Sequence, residues 1–245
     1  MRYWDRSWNP VSGCLECSEA CENCYSRIMV EKKRLKDKNA SFDFHINETQ
    51  YSRNFDNSHE LMFVVPQGDL FFPTIDSKKI VDHILTHSTT FVNKHFLCLT
   101  MRASAMADYF SKSDIADRID MDKYMFGVTV ESPKHYDRID TLIGIPQIKH
   151  RFLALEPILE RMDIEPYILS GKIDWVVVGA ENGEERRPCK LEWIERVIVD
   201  CHKHRVPVFV QNVNVNGRIV SDYNDLPIRV RCRQWHGDFF AHDSK

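Results

Sequence analysis

The sequence predicts an α/β protein in which strands and helices alternate to form a partial or complete (β/α) barrel of the TIM type. Two observations favour this fold. Six short runs rich in apolar, β-branched and aromatic residues recur along the 245-residue chain, and continuous runs of this kind are typical of parallel strands buried on both faces. Helix-like stretches separate several of them, so right-handed crossovers would coil the series into a barrel. A doubly wound open sheet is the alternative.

The elements follow one another regularly. The predicted strands are 61–65, 95–100, 126–130, 151–155, 174–179 and 206–211. The predicted helices are 76–89, 111–121 and 190–205. The last helix has an apolar face opposite its charges, formed by Leu191, Ile194, Val197, Ile198 and Cys201. Because this alternation continues along the chain, we predict a single domain covering residues 1–245.

Composition and charge indicate where the protein is located and which partners it can have. The chain is 43% hydrophobic and 28% charged, as in ordinary globular proteins, and its formal net charge of -3 neither favours nor excludes a polyanionic partner. Basic clusters occur at 31–38 and 229–236. The N-terminus lacks the charged and then apolar run of a signal peptide, and no apolar run approaches about 18 residues. We therefore expect a cytoplasmic protein without a membrane partner.

Four of the eight cysteines lie close together in the stretch GCLECSEACENCYS, residues 13–26, which we call the cysteine loop. They are Cys14, Cys17, Cys21 and Cys24. Their polar spacers show no apolar periodicity, and in a reducing cytosol such a cluster more often holds metal than disulfides. Zinc sites usually separate their two cysteine pairs by about a dozen residues or more, whereas iron–sulfur clusters accept ligands from one looping segment. The spacing favours an iron–sulfur cluster, with zinc as the alternative.

Two motifs in the cysteine loop resemble those of radical S-adenosylmethionine (SAM) enzymes. Cys17, Cys21 and Cys24 read C-x3-C-x2-C, the three-cysteine signature of that superfamily. The wider stretch also resembles W-N-P-x-x-G-C-x6-C-x2-C-Y, the pattern of a phage- and prophage-associated family of predicted radical SAM proteins that is distantly similar to spore photoproduct lyase. On this second pattern the ligands of a 4Fe-4S cluster are Cys14, Cys21 and Cys24, with Cys17 as the alternative to Cys14.

The resemblance extends along most of the chain. The matching blocks are GDLFFP (68–73), FLCLTMRA (96–103), GVTVES (127–132), RFLALEPIL (151–159), IDWVVVGAENG (173–183), RRPCKLEWI (186–194) and VPVFVQ (206–211). Three positions depart from the family pattern. Met101 and Gln211 stand where the family often has Lys, and Phe72 stands where it has His. These departures bear on the substrate more than on the cofactor.

Polar residues directly follow the predicted strands. They are Asp69, Arg102, Glu131, Glu156, Glu181, Asn182 and Gln211. In a barrel the carboxyl ends of the strands meet at one mouth, where active sites gather, so these side chains are predicted to face a common site. A polar residue at this position is also a common helix cap or loop residue, and that alternative holds for each of them singly.

The resemblance implies roles for several of these residues in binding SAM. Gly68 and Asp69 would contact its amino group, Arg102 its carboxylate, and Glu131 and Glu181 the ribose hydroxyls. Tyr25 would pack near the adenine.

Four further residues are candidates for binding the substrate. They are Glu156, Arg186, Arg187 and Gln211, of which the two arginines suit a phosphate-bearing substrate. Solvent-exposed charges on a loop are the alternative reading of the arginines.

The function implied by the resemblance is reductive cleavage of SAM at a 4Fe-4S cluster. The 5'-deoxyadenosyl radical formed would abstract hydrogen from a substrate, for which a modified base or nucleotide in phage DNA is the leading hypothesis. An external electron donor of the flavodoxin or ferredoxin type would be required, and the location would be the cytoplasm, that of the host if the protein is phage-encoded. The alternatives are a peptide or tRNA substrate, a non-catalytic iron–sulfur electron carrier, and a zinc-stabilised nucleic-acid-binding module.

Overall fold

One eight-stranded sheet organises the chain in the computed structural model, which describes residues 2–35, 38 and 41–237. Its strands are β1 (Arg6–Trp8), β4 (Glu60–Val64), β5 (Lys94–Thr100), β6 (Tyr124–Thr129), β7 (His150–Leu155), β8 (Trp175–Gly179), β9 (Val208–Val215) and β10 (Arg218–Val220). A separate two-stranded sheet pairs β2 (Val11–Ser12) with β3 (His45–Ile46).

The helices lie mainly between consecutive strands. They are α1 (Tyr25–Arg34), α2 (Glu48–Tyr51), α3 (Ser77–Ser88), α4 (Ala103–Lys112), α5 (Ile115–Arg118), α6 (Asp137–Ile143), α7 (Glu165–Leu169) and α8 (Leu191–Lys203). Within the described ranges, no helix combines the length and the apolar character that crossing a membrane requires.

The strands of the main sheet are arranged in their order along the chain. Strands β1 and β4 to β9 pair in parallel, and β10 pairs antiparallel with β9. The sheet is curled into a half-barrel, which confirms the predicted α/β class and is compatible with a partial TIM-like barrel. Strands β4 to β9 coincide with the six predicted strands, although β9 runs beyond the predicted end at 211 before the chain folds back as β10.

Side chains on the two faces of the sheet form separate apolar clusters. The outer cluster includes residues from α3, α4, α6 and α8, which cover the sheet. The inner cluster consists of Tyr3, Leu61, Phe63, Leu97, Met125, Phe152, Ala154, Trp175, Val177 and Phe209. Gly127 makes room for it, because a Cβ there would lie 2.4 Å from the Phe152 ring. The inside of the half-barrel is therefore packed with side chains and is not an open channel.

One predicted helix was wrong. Residues 111–121 do not form a single helix, because α4 ends at Lys112 and Ser113 is extended, with its hydroxyl accepting the Ile115 backbone N–H at 3.2 Å. The helix predicted at 190–205 is confirmed as α8. Ile194, Val197 and Cys201 are buried on its apolar face.

Candidate functional site

The cysteine loop lies at the carboxyl edge of the main sheet, in the long connection between β1 and β4. Gly13 forms an isolated parallel bridge with Gly68, just beyond the end of β4, and its backbone N–H donates to the Gln67 carbonyl at 3.0 Å. Gly13 has φ +87°, and a Cβ there would lie 2.2 Å from the carbonyl oxygen of Asp43. Only glycine fits this position, which explains the glycine directly before Cys14.

The four thiols of the loop have different surroundings. Cys21 is buried, Cys14 and Cys24 are half-buried, and Cys17 is exposed. The Cys17 and Cys21 sulfurs are 4.0 Å apart, and a hydrogen bond from Cys17 lowers the pKa of Cys21. Cys24 immediately precedes α1, where unpaired backbone N–H groups favour a thiolate. Burial nevertheless raises the pKa of Cys24 and that of Cys14.

Arg102 connects Cys14 to the ends of β4 and β5. Its guanidinium donates to the Cys14 sulfur at 3.2 Å, to the Leu15 carbonyl at 2.7 Å and to Asp69 at 3.0 Å. Asp69 is buried, and it also accepts hydrogen bonds from the Thr100 hydroxyl at 2.7 Å and from the backbone of Phe71 at 2.9 Å. Asp69 therefore orients Arg102, and Arg102 holds the start of the cysteine loop.

A second connection joins the loop to the end of β6 through residues that the sequence interpretation missed. Glu19 lies between Cys17 and Cys21, and its carboxylate accepts hydrogen bonds from Ser132 at 2.8 Å and from His135 at 2.9 Å. The contact with His135 is the main reason that the pKa of Glu19 is lowered to about 2. The sequence feature that could have revealed this contact is His135, a histidine four residues after Glu131.

Glu131 lies beside this second connection. It is fully buried, and Arg138 donates to one of its oxygens at 2.8 Å. The other oxygen, Oε1, accepts no hydrogen bond, although Nε2 of His135 lies 3.3 Å away. A buried carboxylate oxygen of this kind is a natural acceptor for a hydroxyl donor.

The third connection is made from the end of β8. Glu181 forms an ion pair with Arg187 and accepts a hydrogen bond from Asn23 of the cysteine loop at 3.0 Å. Burial alone would raise the pKa of Glu181, but the hydrogen bonds from Arg187 and Asn23 outweigh it and lower the pKa. The Arg186 guanidinium donates to the carbonyls of Gly183 and Gly217. Both arginines are thus engaged with the chain itself.

Two polar side chains flank Gly179 at the end of β8. A Cβ on Gly179 would lie 3.3 Å from Cγ of Glu156, which directly follows β7, and 3.4 Å from Cβ of Gln211 in β9, so these two side chains lie near each other beside the glycine. Burial raises the pKa of Glu156 to about 7. The side-chain oxygen of Gln211 is buried and accepts no hydrogen bond. The pair therefore offers a carboxyl group, that of Glu156, which exchanges protons near neutral pH, and a hydrogen-bond acceptor, the side-chain oxygen of Gln211, which is not yet used.

The predicted site residues fall into connected groups. Cys14, Asp69 and Arg102 are in contact, Glu181 contacts Arg187 and the loop, and Glu156 lies near Gln211. Tyr25 is 58% exposed on the first turn of α1. The structure thus gathers the cysteines and the strand-end residues at one edge, while their roles toward SAM and substrate stay predictions.

No three thiols of the cysteine loop, which the structure describes in full, lie as close together as the ligands of a single zinc ion. Sulfur ligands at 2.3 Å from a tetrahedral ion lie about 3.8 Å apart. In the described part of the chain, two groups of three metal-binding side chains have all their ligand atoms within 4.8 Å of one another, and neither contains a cysteine. One of them is Glu19, Glu131 and His135, and the other lies at the opposite edge of the sheet. The sulfurs of Cys17 and Cys21, 4.0 Å apart, approach the spacing of zinc ligands, but no third thiol of this described loop lies within 4.8 Å of both.

The fold and this site define an α/β half-barrel protein with a cysteine loop at the carboxyl edge of its parallel strands. The sequence model of DUF5131, described as a protein of unknown function, matches residues 1–223, and the chain belongs to this family. Searches of curated proteins and of solved structures found no match.

Proposed function

We propose that this protein is a radical SAM enzyme whose 4Fe-4S cluster is held by Cys14, Cys21 and Cys24. The observation that carries the proposal is the position of the cysteine loop at the carboxyl edge of the half-barrel, tied to the ends of β4, β5, β6 and β8. Such a cluster, with SAM bound, supplies an electron that cleaves SAM to methionine and a 5'-deoxyadenosyl radical, which abstracts hydrogen from substrate.

Cys14 is the better candidate for the third ligand. Its backbone is fixed by Gly13, and its sulfur receives a hydrogen bond from Arg102. Cys17 is exposed and contacts Cys21 and Met101 through sulfur atoms 4.0 Å away. A thiolate beside a guanidinium is stabilised by the opposite charge, which suits a metal ligand.

The chain's own residues would bind and enclose SAM. Glu131 offers its buried Oε1, which accepts no hydrogen bond, to a ribose hydroxyl, and Arg102 suits a carboxylate. Asp69 already accepts hydrogen bonds on both oxygens, so a contact with the amino group of SAM would replace one of them. The packed inner face closes the half-barrel below this edge, which limits access of water to the reacting groups.

We propose a nucleobase or nucleotide in DNA as the substrate. Gln211 and Glu156 can together accept and donate hydrogen bonds, which is what the edge of a base requires. Arg186 and Arg187 would bind phosphate only after giving up contacts within the chain. The preference for DNA therefore rests on the resemblance to spore photoproduct lyase and to phage-associated proteins.

A second candidate function is electron transfer without SAM. Because the Cys17 sulfur lies 4.0 Å from that of Cys21, the loop contains a nearby fourth thiol. If Cys17 also bound iron, the cluster would have no open position for SAM. The two functions differ in whether SAM binds to the cluster and is cleaved.

The deciding experiment is anaerobic reconstitution with iron and sulfide, reduction with dithionite in place of the natural electron donor, and chromatography for 5'-deoxyadenosine after addition of SAM. We expect the nucleoside from the wild type and from Cys232→Ala, a control that removes a half-buried thiol outside the loop. Cys24→Ala should form neither the cluster nor the nucleoside. If the reconstituted cluster yields no nucleoside and its absorption spectrum does not change when SAM is added, the radical SAM proposal fails and the electron-carrier function is favoured.

A further inference from the structure

Three side chains with metal-binding atoms meet at the amino edge of the main sheet, opposite the cysteine loop. His150 is the first residue of β7, and Asp174 directly precedes β8. These strands pair in parallel with Phe152 opposite Trp175, which places Asp174 beside Arg151, the residue next to His150. His236 of the C-terminal segment completes the group, and the ligand atoms of the three residues all lie within 4.8 Å of one another.

Main-chain contacts hold two of these residues in place. The Arg151 backbone N–H donates to Oδ2 of Asp174 at 2.7 Å, and this sets the orientation of the carboxylate. His150 is anchored by the pairing of β7 with β6, where it lies opposite Met125. Metal-binding side chains in proteins are usually oriented by such hydrogen bonds from groups that do not themselves contact the metal.

The segment that carries His236 is also held against the sheet. The backbone N–H of Gln234 donates to the Val208 carbonyl at 2.9 Å, and the indole N–H of Trp175 donates to the Gln234 carbonyl at 2.8 Å. The Trp235 ring packs edge-on against Phe209, with 5.0 Å between centroids. His236 therefore reaches the group from a segment with a defined position.

We propose that His150, Asp174 and His236 form a binding site for a divalent transition-metal ion of the zinc type. Two imidazoles and one carboxylate are a donor set that suits zinc and its neighbours and leaves one position for water or a further ligand. All three side chains are partly exposed, so an ion can enter. A further carboxylate, that of Asp122, has its Oδ1 3.6 Å from Nε2 of His150.

A metal ion here would join the C-terminal segment to β7 and β8. The three ligands come from distant parts of the chain, so the ion would connect only the folded form and would stabilise it. This site is separate from the cysteine loop and does not depend on radical SAM chemistry.

Cobalt titration of the full-length, tag-free chain under reducing, anaerobic conditions tests the proposal. Co2+ bound by nitrogen and oxygen gives visible absorption without the near-ultraviolet charge-transfer band that thiolate ligands produce, so the spectrum separates this site from the cysteine loop. The wild type is expected to bind one Co2+ per chain that adds no thiolate band, apart from any Co2+ that the cysteine loop takes up, and Zn2+ should displace it. His83→Ala, on α3, serves as the control histidine.

The variants His150→Ala and His236→Ala should each weaken this binding by more than about 100-fold, because each loses a direct ligand and loss of an outer partner alone costs 10- to 100-fold. His236 lies outside the helices and strands, so its variant remains informative if His150→Ala fails to fold. Cobalt that binds only with the thiolate band would overturn the proposal. Equal binding by His236→Ala, His83→Ala and the wild type would do the same.

Discussion

Glu156 is expected to make the stability of the protein depend on pH near neutrality. Burial raises its pKa from the ordinary 4.5 to about 7 in the folded state. The folded protein therefore holds a proton that the unfolded chain releases at lower pH. The stability that the Glu156 carboxyl contributes in its protonated form is fully present below pH 4.5 and is lost as the pH rises through about 7.

The size of this effect follows from the same two values. At about 1.4 kcal/mol for each tenfold change in proton affinity, the difference between 4.5 and about 7 corresponds to about 3 kcal/mol. Glu156→Gln is uncharged at every pH and has nearly the same shape. Relative to the wild type, this variant should therefore gain up to about 3 kcal/mol of unfolding free energy between pH 4.5 and pH 8.

Urea denaturation of the cluster-free, reduced chain, followed by tryptophan fluorescence at several pH values, measures this difference. Glu160→Gln is the matched control, because Glu160 lies in the same connection after β7 but is exposed. Its profile should run parallel to that of the wild type. If the profile of Glu156→Gln also runs parallel to the wild type from pH 4.5 to 8, the carboxyl of Glu156 is not held in its protonated form and the reasoning fails.

Three further predictions concern the cysteine loop and the core. In urea denaturation, Gly13→Ala should lower the unfolding free energy by more than about 2 kcal/mol, and it should also reduce iron binding. The control Gly171→Ala should cost only about 1 kcal/mol, because Gly171 has φ +66° but a Cβ there would meet no atom within 4 Å. Equal losses in the two variants would contradict the close approach at Gly13. Iron analysis after reconstitution should find no cluster in Cys14→Ala and a full one in Cys17→Ala, and the reverse result would exchange the ligands. Lys94→Met should lower the unfolding free energy by about 1–3 kcal/mol, because this fully buried lysine bonds Ser58 and lies 3.0 Å from Glu60; an unchanged urea midpoint would rule this out.

Sequence patterns were reliable where burial is continuous along a segment. The apolar runs that predicted β4 to β9 are recognisable because both faces of these strands are covered, so nearly every residue is apolar. Helix α8 was recognisable because only one face is covered. The four cysteines of the loop are also close together along the chain, so their spacing could be recognised from the sequence alone.

Two local signals were available but were missed. Asn216 and Gly217 both have positive φ and form the tight turn between β9 and β10, and Asn-Gly is the usual sequence for such a hairpin. Met106, Tyr109 and Phe110 are spaced for one face of α4 and are buried there. The prediction began a helix at 111, where α4 is about to end.

The sequence by itself determined the α/β class, the positions of the main strands along the chain and the cysteine loop, because each is encoded in residues that are close along the chain. Only the tertiary structure decided that Glu19 contacts His135, that Arg102 reaches Cys14, and that Glu156 lies near Gln211. These contacts depend on which strands become neighbours and on the register of their pairing. Side chains far apart in sequence meet at a sheet edge only once that register is set, so no local pattern records them.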